Sequence, residues 1–268
     1  METDRVFSGS IPAVYDHFLG PLIFAPYARD IAGRLSDLRA GRLLETAAGT
    51  GIVTRALAVN LPEAVVIDAT DLNQAMVDYA TGLLPSPRVA WRQADAQALP
   101  FPDAMFDAVV CQFGIMFFPD MSKAFSETHR VLRPGGRFVF NVWDRIEAND
   151  FAYVVVQAVA ALFPEDPPLF LARTPHGHHD TALIEARLRG TGFGGVTVET
   201  VAKKSTAPSP RDPALGFCQG TPMRNEIEAR DPTRLEEATD VAAAAIASRF
   251  GMGPVAGQMR AYVITARR

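Results

Sequence analysis

The stretch "GRLLETAAGTGIVTRAL", residues 41–57, decides the fold. A short apolar run leads into a turn with two glycines, and a helical pattern follows at once. This order is typical of α/β proteins that hold nucleotide-like cofactors. Gly49 and Gly51 allow the backbone to approach a ligand closely. The stretch therefore predicts a cofactor site, and the open question is which cofactor it holds.

The alternation of strand and helix continues over the first 150 residues. Five strands are predicted, at "RLLETA", "AVVIDATD", "RVAWRQAD", "FDAVVCQF" and "RFVFNVW". This rhythm predicts an α/β fold with a doubly wound, mostly parallel sheet covered on both faces. Such sheets bind ligands beyond the carboxyl ends of their strands. The residues just after each strand are therefore the candidates for a site.

The second half of the chain has a less regular pattern. "GVTVETVAKKSTA" and "GQMRAYVITARR" predict two late strands that complete the sheet, with helical patterns around them. We expect a single domain over residues 1–268, with a cofactor-binding core at about 40–145. Residues 146–194 and 205–255 are then expected to form a helical cap over the active site.

The overall composition excludes several classes of protein. The net charge of −4 offers no general attraction for nucleic acid. The two cysteines lie far apart and form no CxxC motif, so a zinc knuckle or dithiol site is not expected. The N-terminus lacks the apolar run of a signal peptide, and no apolar stretch reaches the roughly 18 residues of a membrane span. We expect a cytoplasmic protein; the oligomeric state is not predicted.

Two residues around the glycine-rich turn discriminate between cofactors. The third glycine of a dinucleotide motif is replaced by Thr54, and Glu45 lies near the end of the first strand. A carboxylate is unfavourable beside a pyrophosphate but suits a cation. S-adenosylmethionine carries an ammonium, a sulfonium and no phosphate, so it is favoured over NAD. The alternative for Glu45 is a hydrogen-bond acceptor within the helix or loop.

The end of the second strand predicts a ribose site. Asp71 lies 22 residues after Gly49, where an acid can accept both ribose hydroxyls. Asp68 is its rival, but it falls earlier in the strand, where burial is expected. Leu72 and Met76 are predicted to offer apolar contact to the adenine.

The third and fourth strands end in further candidates. Asp95 is predicted to accept the adenine amino group while the N–H of Ala96 donates to a ring nitrogen; the alternative is an Asx turn. Gln112 and Phe113 follow the fourth strand. With Met116, Phe113 belongs to an aromatic and thioether patch, which is either core or a wall beside the donor methyl group.

Four motifs together resemble a known family. "ETAAGTG" resembles the first motif of class I S-adenosylmethionine-dependent methyltransferases, and "DLNQAMV" resembles their second-strand acid with its helix. "ADAQALPFPDAMFDAVVCQFGIMFF" and "LRPGGRFVFNVW" are similar to the third-to-fifth strand segment of the small-molecule subgroup (type 11), which includes the ubiquinone and menaquinone methyltransferases. The resemblance covers roughly residues 40–145.

The resemblance implies a Rossmann-like sheet of seven strands with a reversed last strand and N-terminal helices. Ala47 departs from the glycine that many members have, and we expect no loss of binding from it. Tyr15, together with Phe24 or Tyr27, is implied to cover the methionine end of the cofactor. The cofactor contacts that the resemblance carries over are Glu45, Ala47, Gly49, Asp71, Leu72, Asp95, Ala96 and Gln112.

The implied activity is transfer of a methyl group to a small-molecule acceptor by in-line displacement, leaving S-adenosylhomocysteine. This chemistry depends mainly on alignment of donor and acceptor and requires no metal. No catalytic base is identified. The candidates for the acceptor pocket are Phe24, Met116, His176, Phe217 and Cys218.

Three alternatives stay open. The histidines of "TPHGHHD" resemble a metal tract, but Asp180 is expected to cap the following helix instead. A protein that binds S-adenosylmethionine or its product without transferring methyl carries the same motifs, because they report binding and not chemistry. An NAD-dependent oxidoreductase is disfavoured by Glu45 and Thr54.

Overall fold

The computed structural model describes residues 11–268. Its centre is a seven-stranded sheet with the strand order β3-β2-β1-β4-β5-β7-β6. The strands are β1 (Gly41–Thr46), β2 (Val65–Asp71), β3 (Val89–Gln93), β4 (Phe106–Gln112), β5 (Leu132–Trp143), β6 (Gly194–Ala207) and β7 (Val255–Arg267). Strands β1 to β5 are parallel. The predicted doubly wound sheet is confirmed.

The last strand runs against its neighbour. The N–H of Gly135 donates to the carbonyl of Arg268 at one end of the pair, and the N–H of Asp144 donates to the carbonyl of Arg260 at the other. Because the numbering rises along β5 while it falls along β7, the two strands are antiparallel. The reversed strand that the resemblance implies is therefore confirmed.

Eleven α-helices are present among residues 11–268. They are α1 (Ile11–Val14), α2 (Ala25–Arg34), α3 (Ile52–Asn60), α4 (Gln74–Leu83), α5 (Met121–Val131), α6 (Asp150–Leu162), α7 (Phe170–Arg173), α8 (Thr181–Gly190), α9 (Arg211–Gln219), α10 (Met223–Arg230) and α11 (Leu235–Phe250). A π-helical segment, Tyr15–Phe24, connects α1 to α2 and contains Pro21. Proline removes a backbone N–H and distorts a helix, which is in keeping with the wider turn here.

The chain divides into two compact units. The sheet unit comprises Tyr27–Val142, His179–Val201 and Tyr262–Arg268. The helical unit comprises residues 11–26, Trp143–His178 and Ala202–Ala261. The predicted cap segment 146–194 is therefore divided between the two units, because α8 belongs to the sheet unit.

The sheet unit has an apolar core between the strands and two helices. Alternate residues of the strands, among them Val110 and Val139, form one cluster with buried residues of α2 and α3 such as Ile31 and Leu57. The near-continuous apolar runs of the central strands are what a sheet buried on both faces requires. In the helical unit, α11 packs against α6 and α9.

Three segments have secondary structure that the sequence analysis does not predict. The "RPGG" segment, which precedes the predicted fifth strand "RFVFNVW", is part of β5, across a register shift against β4. It is held there because Gly136 accepts the N–H of Arg268, a contact between distant parts of the chain. The segment "PEDPPLFLARTPHGHHD" contains α7, and "LGFCQGTPMRNEIEARDP" contains most of α9 and all of α10.

Candidate functional site

The glycine-rich turn has a left-handed backbone at three positions. The φ angles are 52° at Ala47, 56° at Gly49 and 80° at Gly51. A Cβ added to Gly51 would lie 2.6 Å from the ring of Trp91, whereas one added to Gly49 would meet nothing within 4 Å. Gly51 is thus required by packing, and the α-carbon of Gly49 faces open space. The positive φ at Ala47 explains why glycine is favourable there.

Glu45 is buried beneath this turn. Its carboxyl Oε2 accepts a hydrogen bond of 2.6 Å from the hydroxyl of Thr54 on α3, and both residues are inaccessible to water. Burial raises the pKa of Glu45 to about 8, against the opposing effect of the Thr54 hydroxyl. Thr54, which replaces the third glycine of the dinucleotide motif, is therefore the hydrogen-bond partner of Glu45. Glu45 therefore accepts a hydrogen bond from the following helix, which is the alternative role that the sequence left open for it.

Asp71, the last residue of β2, is hydrogen-bonded to the glycine-rich turn. Its Oδ2 accepts the N–H of Gly49 at 2.8 Å and its Oδ1 accepts the N–H of Asn73 at 2.8 Å. Burial raises the pKa of Asp71, and these hydrogen bonds act against that rise. Its rival Asp68 is buried too, but it is paired with Arg42 at 2.7 Å. Asp68 is therefore a structural acid, and Asp71 is the one beside the turn.

The residues predicted for the adenine lie beyond β2 and β3. Leu72 is 43% exposed and Met76 is buried. The Oδ1 of Asp95 accepts the N–H of Gln97 at 2.8 Å, which is the Asx turn considered as the alternative. Ala96 is buried next to it. An Asx turn leaves the second oxygen of Asp95 able to accept a further hydrogen bond.

The end of β4 lies against the first turn. A Cβ added to Gly114 would lie 2.5 Å from the Cβ of Ala47. Phe113 has a φ of 50°, a left-handed conformation that is unusual for a bulky residue. Its N–H donates to Oδ1 of Asn141 at 2.8 Å, and its ring meets the edge of Tyr27 at 5.3 Å between centroids. Asn141 was not among the predicted site residues.

The sheet unit thus brings together most of the predicted cofactor residues at its strand ends. The buried acids and the open space beside Gly49 suit a cationic ligand without phosphates. The residues of this group are Glu45, Ala47, Gly49, Gly51, Asp71, Leu72, Met76, Asp95, Ala96, Gln112 and Phe113. Met116, predicted for the acceptor, is also in the sheet unit and is buried in a short helical turn, Ile115–Phe117.

The helical unit contains a separate series of aromatic rings. Tyr15 stacks on Phe24 with 4.7 Å between ring centroids, Phe24 lies 6.4 Å from Trp143, and Trp143 lies 5.9 Å from His176. Phe24, Trp143 and His176 are buried. Of these four rings, Trp143 was not predicted; it lies at the end of the fifth strand, where no site residue was predicted.

His176 is oriented by the backbone. Its Nδ1 lies 2.8 Å from the carbonyl oxygen of Asp144. A carbonyl only accepts, so Nδ1 carries the proton and the neutral ring has its lone pair on Nε2. The side chain of Asp144, 2% exposed, is paired with the guanidinium of Arg260 and accepts the N–H of Arg145 at 2.7 Å. This ion pair, buried on the side of Asp144 and partly exposed at Arg260, holds the segment that orients His176.

Phe217 and Cys218 are both buried in α9. The Sγ of Cys218 lies 4.0 Å from the carbonyl oxygen of Ala238 on α11. Burial raises the pKa of the Cys218 thiol to about 12, so this thiol is not a nucleophile at neutral pH.

The predicted cap of α8 by Asp180 is confirmed, since its Oδ1 accepts the N–H of Leu183 at 3.0 Å.

Neither a metal-binding cluster nor a membrane-spanning helix is found among residues 11–268. No group of three or more His, Cys, Asp or Glu side chains there is arranged to hold a metal ion. None of the helices in the same range combines the length and apolar character needed to cross a bilayer.

Comparison with known proteins gives the class. The methyltransferase domain family matches residues 44–140. A ubiquinone/menaquinone biosynthesis C-methyltransferase of Geobacter sulfurreducens is 41% identical over 103 residues, which are 37% of this chain and 40% of that relative. Its counterpart in Escherichia coli is 29% identical over 175 residues, 60% of this chain and 70% of that relative.

Solved structures share the fold. A phosphoethanolamine N-methyltransferase of Haemonchus contortus, solved with S-adenosylhomocysteine, has a TM-score of 0.61 at 19% identity and covers 96% of this chain and 56% of that one. The [4+2]-cyclase SpnF has a TM-score of 0.57 at 23% identity and covers 91% of this chain and 80% of that one.

These matches confirm the predicted class and its cofactor. Residues 44–140 match the methyltransferase domain family, and the chain resembles class I S-adenosylmethionine-dependent methyltransferases there. The two relatives are named as C-methyltransferases of ubiquinone and menaquinone biosynthesis, which the resemblance had included. The chain spans about two fifths of the length of the Geobacter relative it matches and 70% of the Escherichia coli one.

Proposed function

We propose that this chain methylates a small, planar aromatic acceptor that binds to the helical unit. The observation that carries the proposal is the series of rings formed by Tyr15, Phe24, Trp143 and His176. Flat aromatic walls favour flat ligands, because offset stacking adds about 0.5–1.5 kcal/mol to the burial of apolar area. Phe217 and Cys218 contribute to the same buried unit.

The sheet unit is proposed to hold the cofactor. Asp71 suits the ribose hydroxyls, and Asp95 with the N–H of Ala96 suits the adenine edge. Glu45 suits the positive end of the methionine half. S-adenosylmethionine, when bound, supplies the methyl group on its sulfonium. The remaining contribution of the protein is alignment in a site from which water is excluded.

His176 is proposed to take the proton of the acceptor. Its tautomer is set by the Asp144 carbonyl, so that Nε2 has the lone pair that a base requires. Burial of the ring keeps water from competing for the acceptor hydroxyl. A phenol needs such a base less than an amine or a carbon acid does, so the role is largest for a weakly acidic acceptor.

The names of the relatives support an acceptor with a ring. The Geobacter and Escherichia coli proteins are named C-methyltransferases of ubiquinone and menaquinone biosynthesis. The Haemonchus neighbour is named for the non-aromatic substrate phosphoethanolamine. Phosphoethanolamine therefore serves as a negative comparison in the test.

The test supplies the purified protein with S-adenosylmethionine labelled in its methyl group. Hydroquinones and substituted phenols form one panel, and phosphoethanolamine forms the other. We expect labelled product only with the aromatic panel, and a lower rate with His176→Gln. Labelled phosphoethanolamine would contradict the aromatic proposal.

A second outcome concerns the reaction itself. Tight binding of S-adenosylhomocysteine without transfer to any aromatic acceptor would favour a binding protein, and SpnF shows that a cyclase can have this fold. The single-domain organisation, the cytoplasmic location and the absence of a nucleic-acid partner stay predictions.

A further inference from the structure

The side-chain amide of Asn141 forms a hydrogen bond through its oxygen but, among residues 11–268, forms none through its nitrogen. The residue is 0% exposed and lies near the carboxyl end of β5. Its Oδ1 accepts the N–H of Phe113 at 2.8 Å. Because an N–H requires an acceptor, this contact fixes which end of the amide is oxygen. The other end, Nδ2, is buried and has no hydrogen-bond partner among residues 11–268.

The position of Asn141 in the sheet places it on the face of the glycine-rich turn. Val110 and Val139 are register partners and belong to the apolar cluster with α2 and α3. Side chains on a strand alternate between faces, so Asn141, two residues after Val139, shares that face. Glu45 is the register partner of Val110 and shares it as well.

A buried amide nitrogen without an acceptor is rare, because its lost hydration is not recovered within the protein. It points to a ligand that supplies an acceptor. The cofactor of this class has a positive ammonium, which only donates, and a carboxylate, which only accepts. An N–H donor therefore matches the carboxylate and not the ammonium.

We propose that the side-chain amide of Asn141 donates a hydrogen bond to the α-carboxylate of S-adenosylmethionine. The proposal rests on the cofactor site proposed above. Glu45 and Asn141 then form a complementary pair on one face of the sheet. The acid suits the ammonium, and the amide suits the carboxylate on the same carbon atom of the ligand.

Asn141 also holds Phe113 in place, and the experiment must separate this structural role from the proposed contact with the ligand. Its Oδ1 holds Phe113 in the left-handed conformation at the end of β4. Asn141→Asp keeps an oxygen for the N–H of Phe113 and replaces only the donor. Asn141→Leu removes both groups. The aspartate variant is therefore the specific test, and the leucine variant reports the structural task.

The experiment measures affinity by calorimetry for S-adenosylhomocysteine and for its decarboxylated analogue, with thermal melting to verify folding. For Asn141→Asp we expect at least a tenfold loss of affinity for S-adenosylhomocysteine, because a second carboxylate faces that of the ligand. Affinity for the decarboxylated analogue is expected to stay equal to that of the unaltered protein or to increase.

Two results would overturn the proposal. Equal losses for both ligands would mean that Asn141 acts only through the fold. No loss for either ligand would mean that the amide does not reach the carboxylate; reduced methyl transfer at unchanged affinity would then assign it to the acceptor. If the unaltered protein does not bind S-adenosylhomocysteine at all, the proposed cofactor site itself is wrong.

Discussion

The carboxylates beside the glycine-rich turn of the sheet unit and the carboxylate next to His176 in the helical unit are buried in opposite ways. In the sheet unit, Glu45 accepts from a hydroxyl and Asp71 accepts from two backbone N–H groups. In the helical unit, Asp144 is paired with the guanidinium of Arg260. The first arrangement surrounds the acids with dipoles, whereas the second neutralises the acid with a full charge.

This difference separates a binding site from a structural element. Burial raises the pKa of Glu45 and of Asp71, so the protein alone resists holding two negative charges here. A cationic ligand relieves that repulsion. Asp144 already has its cation within the protein, so its ion pair stabilises the fold and orients His176 instead of binding a charged ligand.

The largest expected effect comes from breaking the ion pair in the helical unit. Arg260→Met leaves Asp144 buried without its cation, which should lower the free energy of unfolding by about 3 kcal/mol. Chemical denaturation measures this loss. Arg249→Met is the matched control, since Arg249 pairs with Asp150 at the surface and should cost about 0–1 kcal/mol. Equal losses in the two variants would contradict the structural role of the pair.

The next effect concerns the acid beside the turn. Asp71→Ala removes the acceptor for Gly49 and Asn73 and leaves the ribose hydroxyls without their partner. Affinity for S-adenosylhomocysteine should weaken by roughly 1–3 kcal/mol, measured by calorimetry. Asp78→Ala, on the exposed side of α4, is the control and should leave the affinity unchanged. Unaltered binding in the Asp71 variant would mean that the ribose site is misassigned.

The pKa of Glu45 predicts a pH dependence of stability. The folded protein keeps Glu45 protonated up to about pH 8, whereas the unfolded chain loses that proton near the ordinary value for glutamate. Between these two values the unfolded state binds fewer protons, so stability falls as pH rises, by at most about 1.4 kcal/mol per pH unit. Above pH 8 this contribution becomes constant.

Glu45→Gln isolates that contribution. Glutamine resembles the protonated acid and offers an oxygen to Thr54, but it does not titrate. Denaturation curves at pH 5 to 9 should therefore show a smaller decline for the variant than for the unaltered protein. Parallel curves for the two proteins would show that Glu45 is ionised in the fold.

The smallest effect tests the histidine-containing segment. Asp180→Ala removes the cap of α8 and should lower the free energy of unfolding by about 1 kcal/mol, while Asp180→Asn keeps the cap and should change it little. Zinc should not raise the melting temperature of either variant. A rise with zinc in the unaltered protein that the alanine variant lacks would favour the metal tract instead.

The sheet and much of the candidate site were predictable because strand ends are marked in the sequence. Apolar runs, glycines and acids showed where each parallel strand stops, and such ends share one edge of the sheet. The helix cap was equally local: Asp180 precedes a helical pattern and accepts an N–H three residues later.

Other features depend on residues far apart in the chain. The partner of Glu45 is nine residues away on a helix, and Asn141 meets Phe113 across 28 residues. The continuation of β5 through "RPGG" depends on the end of the chain. No local pattern encodes such contacts, because they form only when the strands take their order in the sheet.

The sequence by itself determined the class of fold, the glycine-rich turn and the acids at the strand ends. It did so because strand period, turn chemistry and helix caps act over a few residues. Only the tertiary structure decided what each buried group does. It buried Glu45 against Thr54, tied Asp71 to Gly49 and left the amide of Asn141 without an acceptor. Those outcomes depend on burial and on partners from other strands, which change the cost of every charge and hydrogen bond.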